Sequence, residues 1–391
     1  MLIRNKMLDL ESRGWNVQIF YYFPGEKIII PEFKRFINNR IKELQYPFYA
    51  YSQKKRTQVV EKISSIIDCY KNVVVESDFY HLSFWGELIA SKVNGINILY
   101  FIGEEFPRIS KKEELFLCFK QNRKEFVNAH SIKERYSKLV ASLHNENEVL
   151  KMPSYNNVYS NIEFPLYYDN SFPVITSIGR LEKNYILPMV KSIIEFAENN
   201  KTIVNLFFIG DSEYPIFLDE IKNVLSKTSK VIPHFFGYMY PIPLTIINAT
   251  DVAIATSGSV KVTSSQNIPT ISICIEDCFP LGVYGLTTNS CLFRTTEPIV
   301  SLSEMLRDIL IDGKYKESIN YKDSDSSKIY ESNSILIKSL LNNSRNYYNC
   351  NKIFPIKFQV ATRIKRFARY ILYNIPLIKK MLYYLKKYNI F

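Results

Sequence analysis

The stretch PVITSIGRLEKNYILPMVKSIIEFAENNKTIVNLFFIGDSEY, residues 173–214, sets the reading of the whole chain. An apolar run, 174–178, stops at Gly179, and Arg180 and Lys183 follow in a short polar turn. Apolar residues then recur at helical spacing from Pro188 to Asn199, and a second apolar run, 204–209, ends at Gly210. Strand, loop, helix, strand is the repeating unit of a parallel sheet. The loop places two cations at the carboxyl end of a strand, where open α/β sheets bind ligands. Arg180 and Lys183 can face a diphosphate there, helped by the unpaired amides of a helix start. The plainer reading is a solvated turn that happens to be basic.

The pattern continues on both sides. Downstream, 215–226 reads as a helix, 231–236 as a strand ended by Gly237, and 241–248 as a short helix. A strand at 252–255 runs into TSGS, a helix follows to 266, and 270–275 is a strand. A long loop, EDCFPLGVYGLTTN, leads to 291–293, and helices are expected at 301–311 and 329–341. Upstream, a helix at 2–13 ends at Gly14 and 15–23 reads as a strand. Helices at 33–44 and 55–69 precede a strand at 73–76, the polar loop SDFYH and a helix at 82–93. A strand at 96–102 and helices at 111–126 and 132–143 complete this half, and 145–171 is an irregular linker. The expected fold is α/β: two Rossmann-like, doubly wound domains facing a cleft, with a basic amphipathic helical tail. The expected divisions are an acceptor domain over 1–165, a nucleotide-sugar domain over 166–345 and the tail over 346–391.

Composition bounds the function. At 391 residues and 47% hydrophobic content the chain suits two folded domains rather than disorder. The net charge of +12 is concentrated: residues 351–391 hold ten of the 50 Lys and Arg and none of the 38 acidic residues. A basic tail on a nearly neutral body calls for an anionic surface as partner. Six scattered cysteines, Cys69, Cys118, Cys274, Cys278, Cys291 and Cys350, form no CxxC pair, so reduced thiols in a cytoplasmic protein are expected. No apolar run reaches the length of a bilayer span, and the start lacks the apolar core of a signal peptide.

In this order the motifs resemble a GT-B glycosyltransferase of the family-4 type. SIGRLEK (177–183) resembles the family's GR…EK element, whose Arg and Lys hold the donor diphosphate. LFFIGDSE (206–213) is similar to its strand–glycine–acid turn, and HFFGYM (234–239) to the turn that borders the nucleotide base. NATDVAIATSGS (248–259) and NIPTISI (267–273) resemble two further pieces. The N-terminal half, with SRGWNV, VVVESDFYH and ILYFIGEE, matches only in outline. Two departures stand out. Val262 occupies the place of the carboxylate that holds the donor ribose, and a valine accepts no hydrogen bond. The family also begins with a strand and a Gly-rich loop, whereas this chain starts inside the following helix: either the gene start is placed too late, the favoured reading, or this variant lacks a central strand.

Sugar transfer requires charge stabilisation of the leaving diphosphate, activation of the acceptor hydroxyl and exclusion of water. Arg180 and Lys183 are expected to supply the first, with Gly179 and Gly210 shaping the loops. The amides of Ser257, Gly258 and Ser259, between a strand and a helix start, can cradle a phosphate, or the serine can simply cap the helix. Gly237 and Tyr238 are candidates for the base pocket, and Thr263 completes the expected donor-binding set. His81, beside Asp78 in the loop after a buried strand, can position or deprotonate the acceptor. Glu104, with Glu105, closes the next strand and is an acidic candidate. A structural histidine and an ordinary polar strand end are the plainer readings. No His, Cys and carboxylate pattern has metal-ligand spacing, so no metal and no cofactor beyond the nucleotide-sugar substrate are expected. The absence of GxGxxG and Walker loops lowers a dehydrogenase or kinase reading.

In the tail, Ala361, Ile364, Phe367, Ala368, Ile371 and Leu372 share one helical face, while Arg363, Lys365, Arg366 and Arg369 fill the other. After Pro376, Leu377, Met381, Tyr384, Leu385 and Tyr388 oppose Lys379, Lys380, Lys386 and Lys387. Such a basic amphipathic pair over 357–388 reads as a membrane-surface anchor, and its apolar face argues against nucleic acid. A closing helix packed on the protein is the alternative. The sequence therefore predicts a cytoplasmic enzyme, peripheral on the inner membrane, that transfers a sugar from a nucleotide-sugar to a lipid-linked or oligosaccharide acceptor. The bacterial, surface-polysaccharide setting is what the resemblance implies. A non-catalytic GT-B-like subunit and a nucleotide-sugar epimerase are the alternatives.

Overall fold

The structure is a computed structural model that describes residues 2–23, 30–78, 80–101, 111–128, 150–151, 159–161, 163–212, 214–315, 326–343 and 345–350. The chain divides into two compact units that are not consecutive halves. One comprises Val17–Met152 and Ile329–Phe391, the other Met1–Asn16 and Pro153–Lys328. Helix α1 (Leu2–Ser12) thus groups with the second half of the chain. The tail from 351 onward, including 357–388, lies outside the described residues, as do Glu104 and Glu105.

The first unit carries α2 (Gln53–Ile67), β1 (Val74–Asp78), α3 (Tyr80–Lys92), β2 (Ile96–Phe101), α4 (Lys111–Asn122), β3 (Phe126–Asn128) and β4 (Leu150–Lys151). Its four strands are parallel in the order β1-β2-β3-β4. Ser52 starts α2 by accepting a hydrogen bond from the Lys55 amide at 3.3 Å, a conventional N-cap. The core is aromatic, with Phe48, Phe84, Trp85 and Phe116 all buried. Two expectations fail here. Residues 15–23 form no strand: among the described residues they make the isolated bridge Tyr21–Arg40, and a strand needs a ladder. The expected helix at 33–44 is instead two 3₁₀ segments, Pro31–Asn39 and Lys42–Gln45.

The second unit follows the expectation closely. It carries β5 (Tyr159–Ser160), β6 (Val174–Ile178), α5 (Ile186–Asn199), β7 (Val204–Ile209), α6 (Pro215–Leu225), β8 (Val231–Phe235), β9 (Ile242–Pro243), α7 (Leu244–Asn248) and β10 (Val252–Ala255). Then come α8 (Gly258–Ser264), β11 (Thr270–Ile273), β12 (Pro280–Val283) and α9 (Leu302–Leu310). Helix α10 (Ser326–Asn342) runs back into the first unit, which resumes at Ile329. The large sheet runs β12-β11-β10-β6-β7-β8, parallel except for the antiparallel edge strand β12. This is the Rossmann order, and β6 and β10 flank the point where the strand order reverses. Every residue of β6, β7, β10 and β11 is buried, as a sheet covered on both faces requires. Met189, Val190, Ile193 and Phe196 of α5 and Leu302, Leu306 and Ile309 of α9 cover one face, and α7 and α8 contribute Ile246, Ile247 and Val262 to the other. Each such side chain contributes about 1.5–3 kcal/mol of burial. Strand β12 was hidden in the expected loop by its Pro-Leu-Gly-Val composition.

Candidate functional site

Backbone contacts build the carboxyl edge of the six-stranded sheet around β6. The Leu181 amide donates to the Asp211 carbonyl at 3.1 Å, and the Gly210 amide to the Gly237 carbonyl at 2.8 Å. These bonds tie the loops after β6, β7 and β8 together. Gly179 and Gly210 adopt φ of +154° and +148°, and a Cβ on Gly210 would lie 1.8 Å from the Gly179 carbonyl oxygen. Only glycine permits that approach. The buried Tyr185 hydroxyl lies beneath, 3.3 Å from where a Gly179 Cβ would be. Asn184 Nδ2 then donates to the Ile275 carbonyl at 2.8 Å, linking the β6 loop to the far side of β10.

On this platform Arg180 projects outward, its side chain 67% exposed, and among the described residues it makes a long 3.4 Å pairing to Glu182. An exposed pair at that distance contributes little and leaves the guanidinium able to bind an anion. Lys183 lies three residues on, in the same turn. Across the reversal point, the turn at 256–259 follows β10. Ser257 there has φ +58° and ψ −138° and makes no side-chain cap to α8. A non-glycine residue with positive φ is uncommon and marks a position the surroundings enforce. Tyr238, after β8, is half exposed, and burial of the rest of its ring pushes its phenol up. The structure therefore brings Gly179, Arg180, Lys183, Gly210, Gly237, Tyr238 and Ser257 to Ser259 to one edge of one sheet.

Thr263 is a correction. It is fully buried, and its hydroxyl pairs with that of Thr270 at 2.7 Å, so it belongs to the core rather than to a donor surface. Val262 is likewise buried, in the cluster with Ile246 and Ile268.

In the other unit, His81 lies in the first turn of α3 rather than in a loop, because the helix begins at Tyr80, two residues after β1 ends. Burial holds its imidazole below the ordinary value, partly offset by a hydrogen bond to the Leu44 backbone. Asp78 closes β1 and pairs with Tyr100. Among the described residues no group of His, Cys, Asp or Glu could hold a metal ion, and no helix is long and apolar enough to cross a membrane.

Sequence reading missed the loop that braces this edge. The Cys291 carbonyl accepts from the Ser257 amide at 2.5 Å and from Thr256 Oγ1 at 3.3 Å, while the Leu292 carbonyl accepts from the Ile275 amide at 3.0 Å. Arg294 anchors this segment to Asp277, with Nε to Oδ2 at 2.9 Å. The partners are 17 residues apart, and no local spacing rule links them.

No protein-family model matches the chain, and no curated protein sequence matches it. Solved structures do. A glycosyltransferase from Rickettsia africae is similar over 87% of this chain and 95% of its own, at 14% identity and a TM-score of 0.59. Anabaena HepE in complex with UDP and glucose is similar over 75% of this chain and 82% of its own, at 12% identity and a TM-score of 0.48. The UDP-GlcNAc 2-epimerase of Neisseria meningitidis, bound to UDP-GlcNAc, covers 88% of this chain and 97% of its own at 14% identity and a TM-score of 0.47. The first likeness shows a shared fold, and the chain has the α/β architecture of the GT-B glycosyltransferases.

Proposed function

We propose that the six-stranded unit binds the diphosphate of a nucleotide-sugar beside β6, and that the protein transfers the sugar to an acceptor. The observation that carries this reading is the placement of two cations, Arg180 and Lys183, at the carboxyl end of β6, beside the strand-order reversal and opposite the 256–259 turn. A diphosphate matches that charge, and a leaving diphosphate is the group such a transfer must stabilise. The fold shared with a Rickettsia africae glycosyltransferase supports transfer over other nucleotide chemistry.

The finer parts of the proposal are a hexosyl donor, a lipid-linked glycan acceptor in surface polysaccharide assembly, and docking of the basic 357–388 segment on the cytoplasmic face of a membrane. Asp78, His81 and Glu104 are the proposed acceptor-activating groups. Co-sedimentation with anionic and neutral vesicles, with and without 357–388, tests the docking. Calorimetry of the full chain against UDP, GDP, dTDP and ADP, with Arg180→Ala alongside, tests the donor site. One diphosphate is expected to bind, and the variant to lose about tenfold or more in affinity. A folded protein that binds none of the four sinks the reading.

A second reading, a non-catalytic subunit that binds a glycan or a partner enzyme, is favoured by the inward-facing Val262 and Thr263. Neither offers a donor ribose an acceptor group. Hydrolysis or transfer of a bound nucleotide-sugar, followed by product analysis, separates the two.

A further inference from the structure

Ser257 holds a backbone conformation that an L-residue rarely adopts, at the end of the strand that borders the reversal point. What keeps it there lies outside its own turn. Its amide points into the Cys291 carbonyl, which also receives the Thr256 hydroxyl. That carbonyl is in turn fixed by the loop on which it sits. Leu292 is buried, and its carbonyl bonds to the end of β11.

Arg294 locks the segment sideways. Nε and one Nη2 hydrogen reach the two Asp277 oxygens at 2.9 and 3.3 Å. The other Nη2 hydrogen reaches the Pro280 carbonyl at 3.1 Å, and Nη1 reaches the carbonyls of Glu297 and Pro298 at 3.2 and 2.7 Å. All five guanidinium donors are used, and the side chain is only 15% exposed. The Glu297 carboxylate closes the other end, accepting from Thr288 Oγ1 at 2.7 Å and from the Thr295 and Thr296 amides at 2.7 and 3.2 Å. The segment from Asp277 to Pro298 is therefore a hydrogen-bonded brace that meets the 256–259 turn at the Cys291 carbonyl.

We propose that Arg294 is a positioning residue for nucleotide binding: through the brace it fixes the Cys291 carbonyl, which holds Ser257 at positive φ and so aims the 256–259 turn at the ligand. This inference rests on the donor-site reading above and adds to it a residue that touches no ligand. Lysine could keep the charge of Arg294 but not its five-donor fork. The work of the brace is specific to Ser257, because a glycine at that position would hold positive φ without help.

The test is a cycle of four full-length proteins: wild type, Arg294→Ala, Ser257→Gly and the double variant. Each is titrated calorimetrically with UDP, GDP, dTDP and ADP, and its fold is checked by far-UV circular dichroism. Arg294→Ala is expected to weaken binding about tenfold on the wild-type background but only about threefold on the Ser257→Gly background. A merely structural arginine would cost the same on both. Equal affinity of Arg294→Ala and wild type, or equal losses on both backgrounds, overturns the inference while leaving the donor site standing. If wild type binds none of the four diphosphates, the donor reading and the role of Arg294 in it fall together. Should Arg294→Ala not fold, Arg294→Lys takes its place in the cycle, with a smaller loss expected and the same two outcomes decisive.

Discussion

The two units solve the problem of holding a parallel sheet in opposite ways. In the six-stranded unit every strand but the edge strand β8 is buried end to end, and helices on both faces bring matching apolar stripes. Stability there is non-directional and spread over many residues, so the loops at the carboxyl edge can adopt unusual conformations. In the four-stranded unit polar and charged groups lie inside the sheet–helix layer. Lys120 is fully buried between the carboxylates of Glu87 and Glu125, and its ammonium also reaches the Asn97 carbonyl at 2.7 Å. Asn97 continues the cluster to Ser83, Glu87 and Ser77. The Glu87 carboxylate also accepts from the Tyr348 amide at 2.9 Å, which pins the segment after α10 to this unit. Directional bonds of this kind specify one arrangement but fail sharply when one member is lost.

The largest expected effect follows from that contrast. Lys120→Met takes the ammonium from the buried Glu87 carboxylate and leaves Glu125 with Arg123 alone, and is expected to cost about 3–5 kcal/mol. Equilibrium denaturation should show the loss, and hydrogen exchange should confine it to α3, α4 and β1 to β3. A loss below about 1 kcal/mol would mean that burial, not the ion cluster, holds both units.

Gly210→Ala strikes the six-stranded unit where its carboxyl edge is most tightly closed. The added methyl would meet the Gly179 carbonyl oxygen, and positive φ adds its own strain. A destabilisation of about 2–3 kcal/mol is expected, together with loss of nucleotide binding. Unchanged stability would show that the edge relaxes more easily than its packed core suggests.

These two positions also show what the sequence could disclose. Apolar-rich runs ending in glycine, such as 174–179 and 204–210, are visible as letters, because burial on both faces favours apolar side chains along the strand and admits few polar ones, here Thr176, Ser177 and Asn205. That unit and its Arg180–Lys183 loop were therefore legible. In LFLCFKQNRKEFVN, by contrast, Lys120 and Glu125 look like surface residues, since a charge is buried only when distant partners meet it. The brace was illegible for the same reason: Asp277, Arg294 and Glu297 are related only through folded geometry. The placement of Thr263 failed because a helix of seven residues turns one threonine inward and another residue outward, and sequence spacing did not fix which.

Acid sharpens the comparison with a smaller and graded effect. Burial depresses the imidazole pKa of His81 in one unit and of His234 in the other. A depressed folded value means that stability is complete above the unfolded value of 6.5 and falls as pH drops through the folded one, so mild acid weakens both units together. Below the unfolded carboxylate values of 3.8 and 4.5 the units part. Burial raises both the Asp277 and Glu297 carboxyls. Hydrogen bonds from Arg294 to Asp277, and from Ser290, Thr295 and Thr288 to Glu297, outweigh it and hold both below the ordinary carboxylate range. Their stabilisation is present above the unfolded values and disappears as pH falls through the folded ones, so the brace loosens in strong acid. The four-stranded unit has a lesser counterpart in Glu43, where burial is outweighed by the hydrogen bond to the half-exposed Lys55, a surface pair of small weight. The protection of the Ser257 and Ile275 amides, measured from pH 7 downward against the intrinsic exchange rate at each pH, should therefore fall in a step that Arg294→Lys moves to higher pH. The Lys55–Glu43 pair should show no comparable step. A Ser257 amide that stays protected until global unfolding would mean that its positive φ is held by its own turn, not by the brace.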